Sequence, residues 1–165
     1  PHLIVELGSG VSTLIGGYTL LKQGSGRIIT VDQSAEFLDY VAQNLRQHRL
    51  EDIVQVLHAS LTPVEINGQV WDWYDRTRLD EIEDIDFLVI DGPAQFNNPK
   101  AQVRYPALPL LYHKLTPGAY ILLDDANRED EQQIVTRWLA EFDLKLIRDY
   151  SYETEKGAKL LQKGS

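Results

Sequence analysis

Five carboxylates and a pair of glycines in this 165-residue chain have the residue types and the placement to do chemistry. Glu6-Leu7-Gly8-Ser9-Gly10 closes a short apolar run, Leu3 to Leu7, so its glycines fall where a strand turns into the helix that begins at Val11. Without a Cβ, Gly8 and Gly10 let a ligand come close to the loop amides, Ser9 included, and to the helix N-terminus beyond. Asp32 ends the next apolar run, 22 positions after Gly10, where a carboxylate can accept hydrogen bonds from ribose hydroxyls. His58-Ala59-Ser60 ends a third run and is placed to border a purine ring. Asp91 ends a fourth, and Asp124-Asp125 a fifth.

These residues share a purpose only if the elements before them run side by side. Strands are predicted at Leu3 to Leu7, Arg27 to Asp32, Ile53 to His58, Ile85 to Asp91 and Ala119 to Asp124. The run at 85 to 91 is nearly continuous in apolar residues, as in strands buried on both faces of a parallel sheet. Helices are predicted between them. One spans Val11 to Gln23 and stops at Gly24-Ser25-Gly26. A second runs from the N-cap Ser34 to about His48, with Phe37, Leu38, Val41 and Leu45 on one face. A third, Ala101 to Leu115, is bent or broken by Pro106 and Pro109, and Arg128 to Phe142 is amphipathic. The stretch Thr62 to Asp84 is irregular, with a turn at Asn67-Gly68 and an aromatic group, Trp71, Trp73 and Tyr74, that reads as a satellite core or a substrate-pocket wall. Leu144 to Tyr150 and Ala158 to Gln162 read as a closing hairpin. The pattern predicts an α/β fold: a doubly wound, mostly parallel sheet with helices on both faces and a C-terminal antiparallel hairpin. Ligands of such sheets bind outside the carboxyl ends of the strands, where all the carboxylates above fall.

Composition limits the chemistry. With 16 basic and 25 acidic residues the formal charge is -9, which disfavours a nucleic-acid partner because phosphate contacts need a basic face. The absence of cysteine removes disulfides, thiolate metal sites and thiol nucleophiles. No apolar run is long enough to span a bilayer, so no membrane is expected, and a cytoplasmic location is the plain expectation. The chain opens at Pro1 and contains no methionine, so residues 1-165 are read as one domain that lacks an upstream N-terminal segment.

A dinucleotide meets two obstacles. Counting G-x-G-x-x-G from Gly8 puts Thr13 at the third glycine, and Glu6 would face an anionic pyrophosphate. A cationic nucleoside removes the second obstacle: S-adenosylmethionine has ribose and adenine, no phosphate, and positive sulfonium and ammonium groups. At these residues the chain resembles the class I S-adenosylmethionine-dependent methyltransferases, whose fold is Rossmann-like. Their first motif, an acidic residue followed by x-G-x-G, appears as Glu6 to Gly10, with Ser12 in place of a further glycine. Their acidic end of the second strand appears as Asp32 in "IITVDQS", and later elements look like "IDFLVIDGPAQ" and "LTPGAYILLDDANR".

The resemblance implies that Glu6, Gly8, Ser9 and Gly10 line the methionine and sulfonium part of the cofactor. Asp32 would hold the ribose with Gln33 beside it, Ala59 and Ser60 would lie near adenine, and Asp91 between cofactor and acceptor. It implies a small-molecule O-methyltransferase, since Asp91-Gly92-Pro93-Ala94 lacks the Pro-Pro-aromatic pattern of enzymes that methylate amino groups on nucleic acid. In some relatives carboxylates at the positions of Asp91 and Asp125 hold Mg2+ or another divalent cation; Ala126 cannot supply a third ligand here. Without metal, Asp91 or Asp125 would be the general base. The partners expected are a small-molecule methyl acceptor and, in a homodimer, a second copy of the chain.

Other readings stay open. Asp91 could simply open a turn with Gly92-Pro93, Asn127 could cap the following helix, and Glu6 could pair with a basic residue. Arg104 and Tyr105 could face substrate or lie on a helix surface. His58 and His113 read as packing or surface residues. A nucleotide-dependent oxidoreductase and a non-catalytic nucleoside-binding module would share the fold.

Overall fold

A computed structural model describes residues 1–94 and 101–165. Its main sheet has seven strands: β1 (Leu3–Leu7), β2 (Arg27–Asp32), β3 (Val54–His58), β6 (Ile85–Ile90), β7 (Leu115–Asp124), β8 (Leu144–Asp149) and β9 (Ala158–Lys163). A separate antiparallel pair, β4 (Leu61–Ile66) and β5 (Gln69–Tyr74), turns at Asn67-Gly68. The sheet order is β3-β2-β1-β6-β7-β9-β8. Strands β1, β2, β3, β6 and β7 are mutually parallel, and β9 lies antiparallel between β7 and β8. The order reverses between β1 and β6, whose carboxyl ends carry Glu6 and Leu7 opposite Val89 and Ile90. That is the switch point at which a ligand crevice forms.

Helices α1 (Val11–Gln23) and α2 (Ala35–Gln47) cover one face of the sheet, and α3 (Ala107–Leu111) and α4 (Glu129–Glu141) the other. The two-residue period of the strands explains the division. Ile4 and Ile28 pack with Leu20 of α1 and with Val41 and Leu45 of α2, whereas their neighbours Leu3, Val5 and Ile29 join the larger core with Ile134 and Trp138 of α4. Helix α2 starts where its chemistry directs: Ser34 Oγ accepts a hydrogen bond from the Phe37 amide at 3.1 Å, and Leu38, Val41 and Leu45 are buried.

The structure departs from the sequence reading in four places. The stretch 62 to 84 is not irregular throughout, because it contains the β4–β5 hairpin, and Trp71, Trp73 and Tyr74 belong to the main core rather than a satellite. The helix expected over 101 to 115 shrinks to Ala107–Leu111; Pro106 precedes it, and Gln102 has a left-handed φ of 57° that no helix accommodates. β7 begins at Leu115, with a register shift as the chain passes Pro117-Gly118. The N-cap of α4 is Arg128, and Asn127 instead donates to the Ser151 and Glu155 carbonyls, tying down the loop between β8 and β9. The loop anticipated at Gly92 to Pro99 lies partly outside the described residues. No described helix is long and apolar enough to cross a membrane.

Candidate active site

A crevice of about 730 Å3 opens over the carboxyl ends of β1, β2, β6 and β7, within the roughly 300–1,000 Å3 of small-molecule sites. One half is built by the loop after β1 and the end of β2, the other by Asp91, Arg104, Asp125, Arg128 and Lys156.

In the first half, backbone packing comes first. Gly8 has a φ of 92°, and a Cβ there would stand 2.9 Å from the Gly92 amide nitrogen. Reciprocally, a Cβ on Gly92 would strike the Tyr74 hydroxyl and stand 3.0 Å from Gly8 Cα. The two loops that bound the crevice therefore touch through glycine backbone. Tyr74 has no room to yield: it is fully buried, and burial raises its phenol well above the usual range. Gly92→Ala is accordingly expected to cost about 1–3 kcal/mol, the usual toll of overpacking, read as a lower denaturant midpoint at unchanged slope.

Glu6 lies behind this loop rather than in the crevice lining. It is buried, and its carboxylate accepts from Ser12 Oγ at 2.5 Å, Thr13 Oγ1 at 2.5 Å and Thr30 Oγ1 at 2.6 Å. Three hydroxyls make it the anchor that fixes the loop to α1 and β2. The loop amides are also engaged: Gly8 N donates to Val31 O, Ser9 N to Asp32 Oδ2 at 3.1 Å, and Gly10 N to Thr13 Oγ1 at 3.0 Å. Asp32 also accepts from the Ser34 amide at 2.9 Å and borders the crevice beside Gln33. Ala59 is buried, with its amide donating to the Asp32 carbonyl at 3.0 Å, and Ser60 is exposed; neither reaches the crevice lining.

The second half is organised by Arg104, which is only 3% exposed. Its Nη2 donates to the Asp91 carbonyl at 2.6 Å, to Asp91 Oδ1 at 3.1 Å and to Asp125 Oδ2 at 3.1 Å, while Nη1 donates to the Asp124 carbonyl at 2.9 Å. Glu131 Oε1 stands 3.8 Å from Nη1. Arg128 reaches Asp125 Oδ2 at 2.9 Å, and Lys156 lies 3.8 Å from Asp125 Oδ1. Asp125 takes this position at a left-handed φ of 55°, a conformation aspartate tolerates better than most residues. Lys156 arrives from the β8–β9 loop, held by Asn127 N to Lys156 O and Ala126 N to Gly157 O, both 3.0 Å.

Asp91 and Asp125 thus differ. Asp125 is 5% exposed in its side chain, with Oδ2 paired to Arg104 and Arg128 and Oδ1 without a hydrogen-bond partner among the described residues, whereas the Asp91 side chain is 43% exposed and lines the crevice. Partial burial pushes the Asp91 carboxyl up to about 6; Arg104 opposes the rise, and Asp124 and Asp125 add to it.

One carboxylate oxygen each of Asp91, Asp124 and Asp125 lies within 4.8 Å of the others, a grouping that could attract a metal ion. The surroundings do not suit one. The guanidinium of Arg104 already bridges Asp91 and Asp125, and the Lys156 ammonium stands 3.8 Å from the remaining Asp125 oxygen. A hard divalent ion requires a shell of about six oxygens.

Sequence reasoning left Arg104 between two roles and did not single out Arg128 or Lys156. It also set Phe37 on the core face of α2, yet Phe37 is 39% exposed and lines the crevice. The helical spacing held a signal, since Leu38, Val41 and Leu45 complete the buried stripe without it.

A family model described as a methyltransferase domain matches residues 5–126, from within β1 to just past the end of β7. The chain is a class I S-adenosylmethionine-dependent methyltransferase. Among solved structures, the methyltransferase resembles one from Geobacter sulfurreducens, at 15% identity and a TM-score of 0.69, over 100% of this chain and 72% of that one. It also resembles the SAH-bound methyltransferase PaMTH1 of Podospora anserina, at 11% identity and a TM-score of 0.72, over 99% and 72%. A third is an O-methyltransferase from Bacillus cereus in complex with SAH, at 18% identity and a TM-score of 0.64, over 98% and 73%. These likenesses concern the fold. No curated protein matches the sequence. For the methyltransferase the crevice supplies a reason to prefer S-adenosylmethionine over a dinucleotide: the amides of Ser9 and Gly10 are bonded to side chains, and the buried Glu6 carboxylate lies close beneath. A pyrophosphate would need those amides free and that charge absent.

Proposed function

We propose that the methyltransferase transfers the methyl group to an oxygen of a small molecule. The observation that carries this reading is Asp91: a half-exposed carboxylate in the lining of the crevice, with its pKa raised to about 6. A hydroxyl must shed its proton as it is methylated, and a base serves best when its pKa lies near the working pH. The size of the crevice and the charge of -9 favour a small acceptor over nucleic acid.

S-adenosylmethionine supplies the methyl group and departs as S-adenosylhomocysteine. On this reading Asp32, Gly8, Ser9, Gly10 and Gln33 hold the nucleoside and methionine parts, and Phe37 offers an apolar surface at the crevice edge. Asp91 Oδ2 takes the acceptor proton as the S–CH3 bond gives way to the O–CH3 bond, while Oδ1 stays tied to Arg104. Alignment of oxygen, methyl carbon and sulfur supplies much of the acceleration.

Methyl-labelled S-adenosylmethionine and paired acceptors, alike except for a hydroxyl or an amine at one position, test the reading. Label is expected on oxygen, and transfer to nitrogen or carbon alone would refute it. Cofactor binding is checked separately by calorimetry. S-adenosylhomocysteine is expected to bind Asp32→Ala at least about 10-fold more weakly than wild type, because the substitution removes charge-assisted hydrogen bonds, each about 1.5–3 kcal/mol. NADH is expected to bind neither.

A further inference from the structure

The acceptor half of the crevice contains a cation that the fold itself provides. Arg104 Nη2 lies 3.1 Å from a carboxylate oxygen of Asp91 and 3.1 Å from one of Asp125, the two groups at the ends of the neighbouring strands β6 and β7. We propose that Arg104 stands where a divalent metal would bridge Asp91 and Asp125, so that this methyltransferase works without a metal ion. The proposal rests on reading this crevice as the methyl-transfer site.

Three features hold the guanidinium there. The first is attachment to backbone: Arg104 donates to the carbonyls of both Asp91 and Asp124, so expelling it breaks hydrogen bonds at two strand ends as well as two ion pairs. The second is permanence. A buried lysine can shed its proton and make way for a metal, but a guanidinium stays charged at any pH the protein survives. The third is the local balance of charge. The four carboxylates Asp91, Asp124, Asp125 and Glu131 face three cations, Arg104, Arg128 and Lys156, leaving one net negative charge for an ion that brings two positive ones. Asp125 Oδ2 meets both Arg104 and Arg128, and the Lys156 ammonium stands 3.8 Å from Oδ1, which accepts no hydrogen bond among the described residues. The fork of Arg104 thereby does part of what a metal does in other sites. It fixes the Asp91 carboxylate by one oxygen, Oδ1.

Mn2+ titration of the full chain, followed by electron paramagnetic resonance with saturating S-adenosylhomocysteine, tests the assignment. Wild type is expected to show no saturable site below about 1 mM. Arg104→Met, which keeps much of the volume and deletes the charge, leaves the carboxylates of Asp91, Asp124 and Asp125 together without their bridging cation. This variant is expected to gain a saturable Mn2+ site and to melt higher with Mn2+ than without it. Stoichiometric Mn2+ binding to wild type that disappears in Asp125→Asn would overturn the proposal. So would a folded Arg104→Met that takes up no Mn2+. If Arg104→Met does not fold, wild type and Asp125→Asn decide alone. Uptake of S-adenosylhomocysteine in the same samples separates the readings: wild type that binds it together with Mn2+ refutes metal independence only, and wild type that does not bind it refutes the reading of the crevice.

Discussion

Asp91→Asn is expected to lower methyl transfer to a hydroxyl acceptor by about 10²–10⁴-fold, the range that a positioned general base contributes, while changing S-adenosylhomocysteine affinity far less. Asparagine keeps the shape and can still accept from Arg104 through its amide oxygen, so the strand-end geometry survives and the proton acceptor alone is lost. The pH dependence separates this from a loss of packing. The Asp91 carboxyl is pushed up to about 6, and only its ionised form can take a proton. In wild type, kcat/KM is therefore expected to rise with pH through about 6 and then level; below that value the group is protonated and inactive. In Asp91→Asn the residual rate should lose this rising limb. A wild-type limb that persists unchanged in the variant would assign the titration to another group.

How much of this was legible beforehand depends on how local each signal is. The parallel sheet, the glycine loop, Asp32 and Asp91 could be read because each sits at the end of an apolar run, and the fold places strand ends together. Ser34 could be read as a cap because capping is a contact within four residues. Glu6 was visible as an acid just before the glycine loop, yet its role needed Thr30 from the next strand, 24 residues away, and sequence offered only an electrostatic fit to the ligand. The acceptor half was the least legible. Arg104 lies in the chain between β6 and β7, the two strands whose ends it bridges, and Lys156 comes from the far hairpin loop, so their convergence exists only after the chain closes. The β4–β5 hairpin was missed for another reason. Asn67-Gly68 was recognised as a turn, but Thr62, Pro63 and Glu65 break the apolar alternation before it. Trp71 and Trp73, two positions apart, were the strand signal on the other side.

Those tryptophans set the second large effect. Trp73→Ala is expected to cost about 3–5 kcal/mol, as truncation of a fully buried aromatic does, out of a total stability of the order of 5–15 kcal/mol. Trp73 is 0% exposed, and its ring meets that of Tyr74 edge to face with centroids 5.1 Å apart. Removing the indole leaves a void that the sheet above and the hairpin below are too constrained to close. For a domain of this size the loss corresponds to a melting point lower by roughly 6–20 °C. Trp73→Phe should cost less than half as much, for two reasons: a ring still fills most of the space, and the indole Nε1 is buried with no hydrogen-bond partner among the described residues, so phenylalanine sacrifices no bond there. The site should register the void as well. Tyr74 is packed on Trp73, and its hydroxyl abuts Gly92, which in turn rests on Gly8, so slack behind Tyr74 loosens the close approach that shapes the cofactor loop. Weaker S-adenosylhomocysteine binding in Trp73→Ala, measured well below its melting point and restored in Trp73→Phe, is the expected signature. Full affinity in a folded Trp73→Ala would show that the glycine contact holds without support from the hairpin.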